Sequence, residues 1–313
     1  MLHYLLNRLV GLFVVLLIVA TIVFVIVRIM PGDPAILLLG SDATDADIAS
    51  LRARLGLDQS LFVQYFLFLG QIAQGDLGQS IFLQKPVLTA IVERAEPTLL
   101  LALMAILIAT TIALPLGILA AVWRGSMFDQ LFLGIAMFTA SIPNFWLGLL
   151  FIQFFAVFLG WFPVSGYGPP GADFLERAQH LFVPALTIGL INSALIARFT
   201  RASVLDVLSD DYVRTARAKG MSEYRVILKH VLKNALIPIV TIIGLTTGIL
   251  ISGAIVVETV FGLPGIGNLV VSAVLRRDYP LIQGTLLIST FLYVFVNLTI
   301  DLLYLMVDPR VRY

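Results

Sequence analysis

The sequence contains no cysteine, and only 12% of its 313 residues carry a formal charge. Without cysteine there is no disulfide framework, thiolate metal site, iron–sulfur cluster or cysteine nucleophile. Soluble domains carry about 25% charged residues, so the chain has too little charge to cover a water-facing surface of its size. Net charge is also lacking: 20 Lys and Arg against 19 Asp and Glu leave +1, which offers nothing to a nucleic acid or another polyanion. Catalytic patterns are missing as well. His3, His180 and His230 show no metal-ligand spacing, and neither His-Glu-x-x-His nor Gly-x-Ser-x-Gly occurs. Gly262, Gly265 and Gly267 break the Gly-x-Gly-x-x-Gly order, and no Lys-Ser/Thr pair follows them as a phosphate loop needs. These absences exclude an ordinary soluble enzyme, a disordered chain and a nucleic-acid module. What fills the sequence is hydrophobic: 59% of residues, with a mean hydropathy of +1.00.

A helix crosses the hydrocarbon of a bilayer in about 20 apolar residues. Windows free of Asp, Glu, Lys and Arg fall at residues 9–27, 97–123, 130–159, 178–197, 234–257 and 279–300. The expected fold is therefore an all-α polytopic membrane protein with six transmembrane helices. The fourth window holds His180 and Pro184, so its helix is expected to start near Phe182 and run slightly past Arg198. The first window is a span rather than a cleavable leader. Its 19 uncharged residues exceed the about 7–15 of a leader core, and Met30-Pro31-Gly32-Asp33-Pro34 offers no small-residue cleavage site.

Lys and Arg placement sets the orientation. With the N-terminus in the cytoplasm, the cytoplasmic pieces hold Arg8, Arg124, Arg198, Arg201, Arg214, Arg217, Lys219, Arg225, Lys229, Lys233, Arg310 and Arg312, which is 12 of the 20. Five of the other eight lie in or beside one long external segment, where charge counts for less. Both termini are expected inside. The chain then divides into a first helix (1–30), an external segment with short surface helices (31–96) and a core (97–313) that carries a cytoplasmic loop at about 203–236. The external segment reads either as helices lying on the membrane or the bundle, or as a cap meeting a delivered substrate.

The spans hold no mid-bilayer Asp, Glu, Lys or Arg; Asp301 lies near the inner end of the last one, where pairing with an Arg is expected. Ion-driven transporters place ionisable groups at bilayer depth because their charge is costly there and serves a purpose. Energy for transport would have to enter elsewhere. Pro115, Pro143 and Pro184 bend or shape spans. Gly117, Gly148, Gly244, Gly248 and Gly253 permit close helix approach. Asn144, Gln153, Asn192 and Thr247 could line a path or bond a neighbouring helix.

The cytoplasmic loop is the available port. Its apolar residues recur as Val204, Leu205, Leu208, then Tyr212, Val213, Ala216, then Val226, Ile227, Val231, which suits short amphipathic helices. Between them runs Arg214-Thr215-Ala216-Arg217-Ala218-Lys219-Gly220-Met221-Ser222. Its small residues would let another protein's groove come close to the backbone. Gly220 and Ser222 break the helix, and Ser222 can cap a second one near Glu223. A basic helix lying on anionic lipid is the alternative. Such a helix wants a broad bulky apolar face, and 214–222 offers only Met221, so a protein socket is favoured.

This segment, followed by Asn234-Ala235-Leu236-Ile237-Pro238, resembles the cytoplasmic EAA loop of ABC importer permeases. That pattern is Glu-Ala-Ala, three residues, Gly, then a later Leu-Pro. Here Arg214-Thr215-Ala216 stand in the first three places, and Pro238 comes later than in the general pattern. Both departures resemble the peptide branch, whose loop stands here as residues 211–220. Pro31, Gly32, Asp33 and Pro34 after the first span agree with it. So do 256–261 leading into Pro264, Gly265 and Gly267, and Asp308-Pro309-Arg310 near the end. The chain resembles the first of two permeases of a dipeptide/oligopeptide/nickel/glutathione-type importer. The resemblance implies a type I permease that binds no cofactor and is not catalytic. It implies a homologous second permease, two ATPase subunits carrying ATP and Mg, and a periplasmic or lipid-anchored solute-binding protein, in a bacterial inner membrane. Residues 214–222 would seat in an ATPase groove. Glu258, Pro264, Gly265 and Gly267 would form an external turn that could gate the path.

Overall fold

The structure, a computed structural model, describes residues 2–29, 36, 39, 44–54 and 56–307; the side chains of 2–7, 51, 54, 251–253 and 300–307 are outside that description. Pro31, Gly32, Asp33, Pro34 and the 308–310 motif lie outside the described residues, as does the side chain of Asp301.

Apolar sequence folds here into helix upon helix. In order these are α1 (Leu2–Ile29), α2 (Asp45–Arg54), α3 (Leu61–Ala73), α4 (Val87–Val92), α5 (Ala95–Val122), α6 (Met127–Ser141) and α7 (Asn144–Phe151). A π-helical stretch, Ile152–Phe158, continues α7. There follow α8 (Phe174–Leu208), α9 (Asp211–Ala218), α10 (Glu223–Arg225), a second π-helical stretch (Val226–Val231), α11 (Leu232–Val260), α12 (Ile266–Leu275) and α13 (Tyr279–Val307). Among the described residues five helical stretches are long and apolar enough to cross a membrane, or six if one bent pair counts as a span.

That bent pair corrects the third window, which is not one straight helix. α6 and the α7 stretch meet at a 99° bend. Pro143 explains the break. It precedes α7 with an extended backbone (φ −63°, ψ 134°) and cannot donate to the turn before it. Pro115, Pro184 and Pro238 instead sit inside continuous helices.

The fourth helix also differs from expectation. It starts at Phe174, well before Phe182, because Asp173 caps it, accepting from the Glu176 N–H at 2.8 Å. It ends at Leu208, ten residues past Arg198. The extension holds because its charge is paired and its apolar face is buried. Arg201 forks onto the buried Asp129, Nε to Oδ1 at 2.6 Å and Nη2 to Oδ2 at 2.8 Å, and Val204 is fully buried. The loop before α8 is held by His180, whose Nδ1 lies 3.2 Å from the Gly166 carbonyl. Arg177 pairs there with Glu96. Burial pushes the Tyr167 phenol above its ordinary range, and the Glu96 carboxylate adds to this.

The chain divides into two compact units, Met1–Ala95 with Leu269–Leu292, and Glu96–Asn268 with Tyr293–Tyr313. In the first, α3 packs on α1, and the buried Asp278 binds residues 80–82 to the start of α13. It accepts from Ser80 Oγ at 2.5 Å and from the N–H groups of Phe82 and Leu281 at 3.0 and 3.3 Å. In the second, Leu101, Ala105, Leu181, Val183, Leu250 and Val257 form one core cluster. Small residues let its helices touch: a β-carbon on Gly117 would stand 2.5 Å from the Ala197 carbonyl. Asn192 and Thr247 bond carbonyls of their own helices, at Ile188 and Ile243.

Candidate functional site

The loop read as long from the sequence is short in space, because α8 runs to Leu208 and helix resumes at Glu223. What hangs between is α9 and one turn. α9 presents Val213 and Ala216, one turn apart, to the bundle. Both are buried in a cluster with Val204, Val226, Val231, Ala235 and Ile239, and Met221 packs beside it. This burial fixes the helix against the ends of the long helices rather than holding it free as a lever. Tyr212 adds a polar tie, its hydroxyl accepting from Asn234 Nδ2 at 2.8 Å.

The opposite side of the segment is open. Arg214, Thr215, Arg217, Ala218, Lys219, Gly220 and Ser222 are exposed. Ala216 departs from the small outward surface read from the sequence, since its methyl faces the bundle. Gly220 has φ +78° and nothing within 4 Å of where a β-carbon would stand. It terminates α9 as a left-handed residue, its N–H bonding the Arg217 carbonyl at 2.9 Å. Within this chain it is a turn residue, not a close-approach one. Ser222 precedes α10 in an extended conformation but makes no side-chain cap. The turn is clasped by Arg217, whose Nε and Nη2 donate to Glu223 at 3.1 and 2.5 Å. That carboxylate holds the Arg217 guanidinium above its ordinary value. Directly beyond, Val226–Val231 is π-helical before α11 begins.

The second place is the turn after α11. Glu258 is fully buried. Its Oε1 accepts from the Thr98 hydroxyl at 2.6 Å and its Oε2 from the Asn268 N–H at 2.9 Å. Thr98 Oγ1 in turn accepts from the Ile266 N–H at 2.9 Å. The two side chains therefore cap the first turn of α12, whose free N–H groups also favour a negative charge. The carboxylate lies where Gly265 would carry a β-carbon, and Gly267 is likewise shut in, 2.6 Å from Ile255 Cα. The structure thus brings Glu258, Gly265 and Gly267 together, while Pro264 points outward, exposed. Sequence reading missed Thr98, which stands 160 residues from its partner and carries no local signal. It missed Asp129 and Arg201 for the same reason. The Asp173–Glu176 cap was legible as a carboxylate three residues before a Glu at a helix start. Among the described residues no group of three or more His, Asp or Glu could hold a metal ion.

Several candidate spans and an exposed basic turn between two long helices fit the membrane component of a transport system. The profile described as "Binding-protein-dependent transport system inner membrane component" matches residues 113–313, and that described as its membrane component N-terminal part matches residues 1–102. The chain belongs to this family, and it is a multi-pass permease subunit of an ABC importer. It is 46% identical over 313 residues, all of both chains, to the glutathione transport system permease protein GsiC of Salmonella paratyphi A. Against the protein of that name in Escherichia coli it is 45% identical over the same span. Its fold is like that of a chain of the inward-facing MetNI methionine ABC transporter. The TM-score is 0.59 at 19% identity, with 70% of this chain and 96% of that one covered.

Proposed function

We propose that this subunit forms, with a sister permease, the pathway for glutathione or a short peptide of that kind. The supporting observation for the solute is identity of 46% across the full length of a glutathione permease. The energy is supplied by two ATPase subunits that seat on the exposed side of residues 214–222. A binding protein delivers the solute from the opposite face, and both chain termini lie on the ATPase side. Support for the seat is the placement of α9. Its inner face is welded to α8 and α11 through Val213 and Ala216, so a push on its outer face is transmitted to two long helices. ATP binding to the partners would shift α9 and open the pore outward; hydrolysis would reset it. This chain supplies no catalytic group to that cycle.

The test is uptake of labelled glutathione into proteoliposomes that hold the co-expressed subunits, with ATP inside and binding protein outside. Competition by unlabelled dipeptides and by nickel ranks the alternatives. Uptake of a dipeptide with no uptake of glutathione would overturn the solute assignment. ATP-independent uptake by this chain alone would overturn the motor.

A further inference from the structure

α3, Leu61–Ala73, has 13 residues. At about 1.5 Å per residue it is about 20 Å long, short of the about 30 Å of a bilayer's hydrocarbon. Yet it is apolar on both sides. Inward, its Tyr65 and Phe68 rings meet Phe24 of α1 at 5.3 and 5.6 Å. Outward, Leu61, Phe62, Val63, Phe66 and Leu67 are exposed by 43% to 72%. That face is too apolar to leave against water.

The crossing with α1 sets its depth. Arg8 and Arg28 bracket the uncharged part of α1, and 20 helical residues span about 30 Å, one hydrocarbon thickness. Thr21 and Phe24, which touch α3, are seven and four residues from Arg28. They therefore lie about 10 and 6 Å inside that boundary. Interfacial helices bury themselves to about 5–10 Å. At the crossing the Tyr65 hydroxyl finds its partner within the chain, 2.7 Å from Thr21 Oγ1, as a hydroxyl in hydrocarbon must. On α1, Ile18, Ile22 and Val25 are exposed as well. A groove of about 490 Å³ runs beside the crossing, lined by Phe13, Leu17 and Ala20 of α1, Leu69 and Ile72 of α3, and Phe291 of α13. Its apolar walls suit acyl chains.

We infer that α3 is embedded in the leaflet on the Arg28 side, with lipid acyl chains covering Leu61, Phe62, Phe66 and Leu67. The long segment after the first span is then part of the membrane body, not wholly a cap in water.

The absence of cysteine allows a direct test. Phe66→Cys and Leu67→Cys, in separate variants, each give one nitroxide attachment point on this chain. The labelled subunit is assembled with cysteine-free partners in phosphatidylethanolamine/phosphatidylglycerol nanodiscs. Collision rates with oxygen and with a water-soluble nickel chelate are then read by electron paramagnetic resonance. The expected oxygen-to-chelate ratio is several-fold above that of Gln74→Cys, in the exposed turn after α3, and close to that of Ile22→Cys on α1. Strong chelate collisions would place the face in water. Protection from both agents would mean a protein partner covers it. Either result overturns the inference.

Discussion

Thr98 and Glu258, 160 residues apart in the chain, meet in a buried 2.6 Å hydrogen bond, and the same threonine oxygen accepts from Ile266. One hydroxyl thus joins the start of α5, the end of α11 and the start of α12. Thr98→Val removes a donor and an acceptor while keeping the shape. A buried group left unsatisfied costs about 1–3 kcal/mol. Thermal unfolding in detergent should show that loss for Thr98→Val and little for Thr98→Ser, which keeps the hydroxyl.

The same turn makes Gly265 a packing requirement. A methyl there meets the Glu258 carboxylate, and overpacking costs about 1–3 kcal/mol. Gly134 in α6 has nothing within 4 Å of its β-carbon position. Gly265→Ala should lower the melting temperature, and Gly134→Ala should leave it equal or higher.

Gly220 matters through its backbone. Its φ of +78° disfavours a β-branched residue, while open space around it accepts most side chains. Gly220→Asn, which tolerates the left-handed region, should retain ATP-driven uptake in proteoliposomes. Gly220→Val should lose most of it while still inserting into the membrane. Equal uptake by the two would remove the turn geometry from the coupling argument.

The Arg217–Glu223 pair is half-exposed, with side-chain exposures of 40% and 52%, and such pairs contribute about 0–1 kcal/mol. Glu223→Gln should therefore barely change the melting temperature. It releases the clasp across the turn, so the number of ATP molecules hydrolysed per solute imported should rise.

Asp129 and Arg201 are a different kind of pair. Asp129 is 3% exposed, and removing one partner of a buried fork costs about 3–5 kcal/mol. Asp129→Ala should unfold the α6–α8 contact at markedly lower temperature. Arg201→Lys should rescue little, because an ammonium cannot reproduce the two parallel bonds.

These contrasts show where the sequence was readable. Runs of uncharged residues announce helices one by one, so the windows at 97–123, 234–257 and 279–300 correspond to α5, α11 and α13. Pro143 announced a disturbance but not a bend of 99°, since Pro115 and Pro184 in similar company leave their helices continuous. The early start of α8 depended on a cap, Asp173, that a search for uncharged windows ignores. In the basic loop the alternation of Val213 and Ala216 with charged neighbours was visible. That Ala216 faces inward and Gly220 stands in open space was not.

Composition and local pattern alone determined that this chain lives in a bilayer, is helical and has no thiol chemistry, and its motifs carried the resemblance to importer permeases. Burial in lipid forces each span to satisfy its own backbone, so each is written locally. Only the tertiary structure decided that Glu258 bonds the distant Thr98, that Arg201 lets α8 run on, and that α3 crosses α1 below Arg28. Those contacts join residues 44 to 160 positions apart, and no local spacing encodes a meeting that helix packing within each unit brings about.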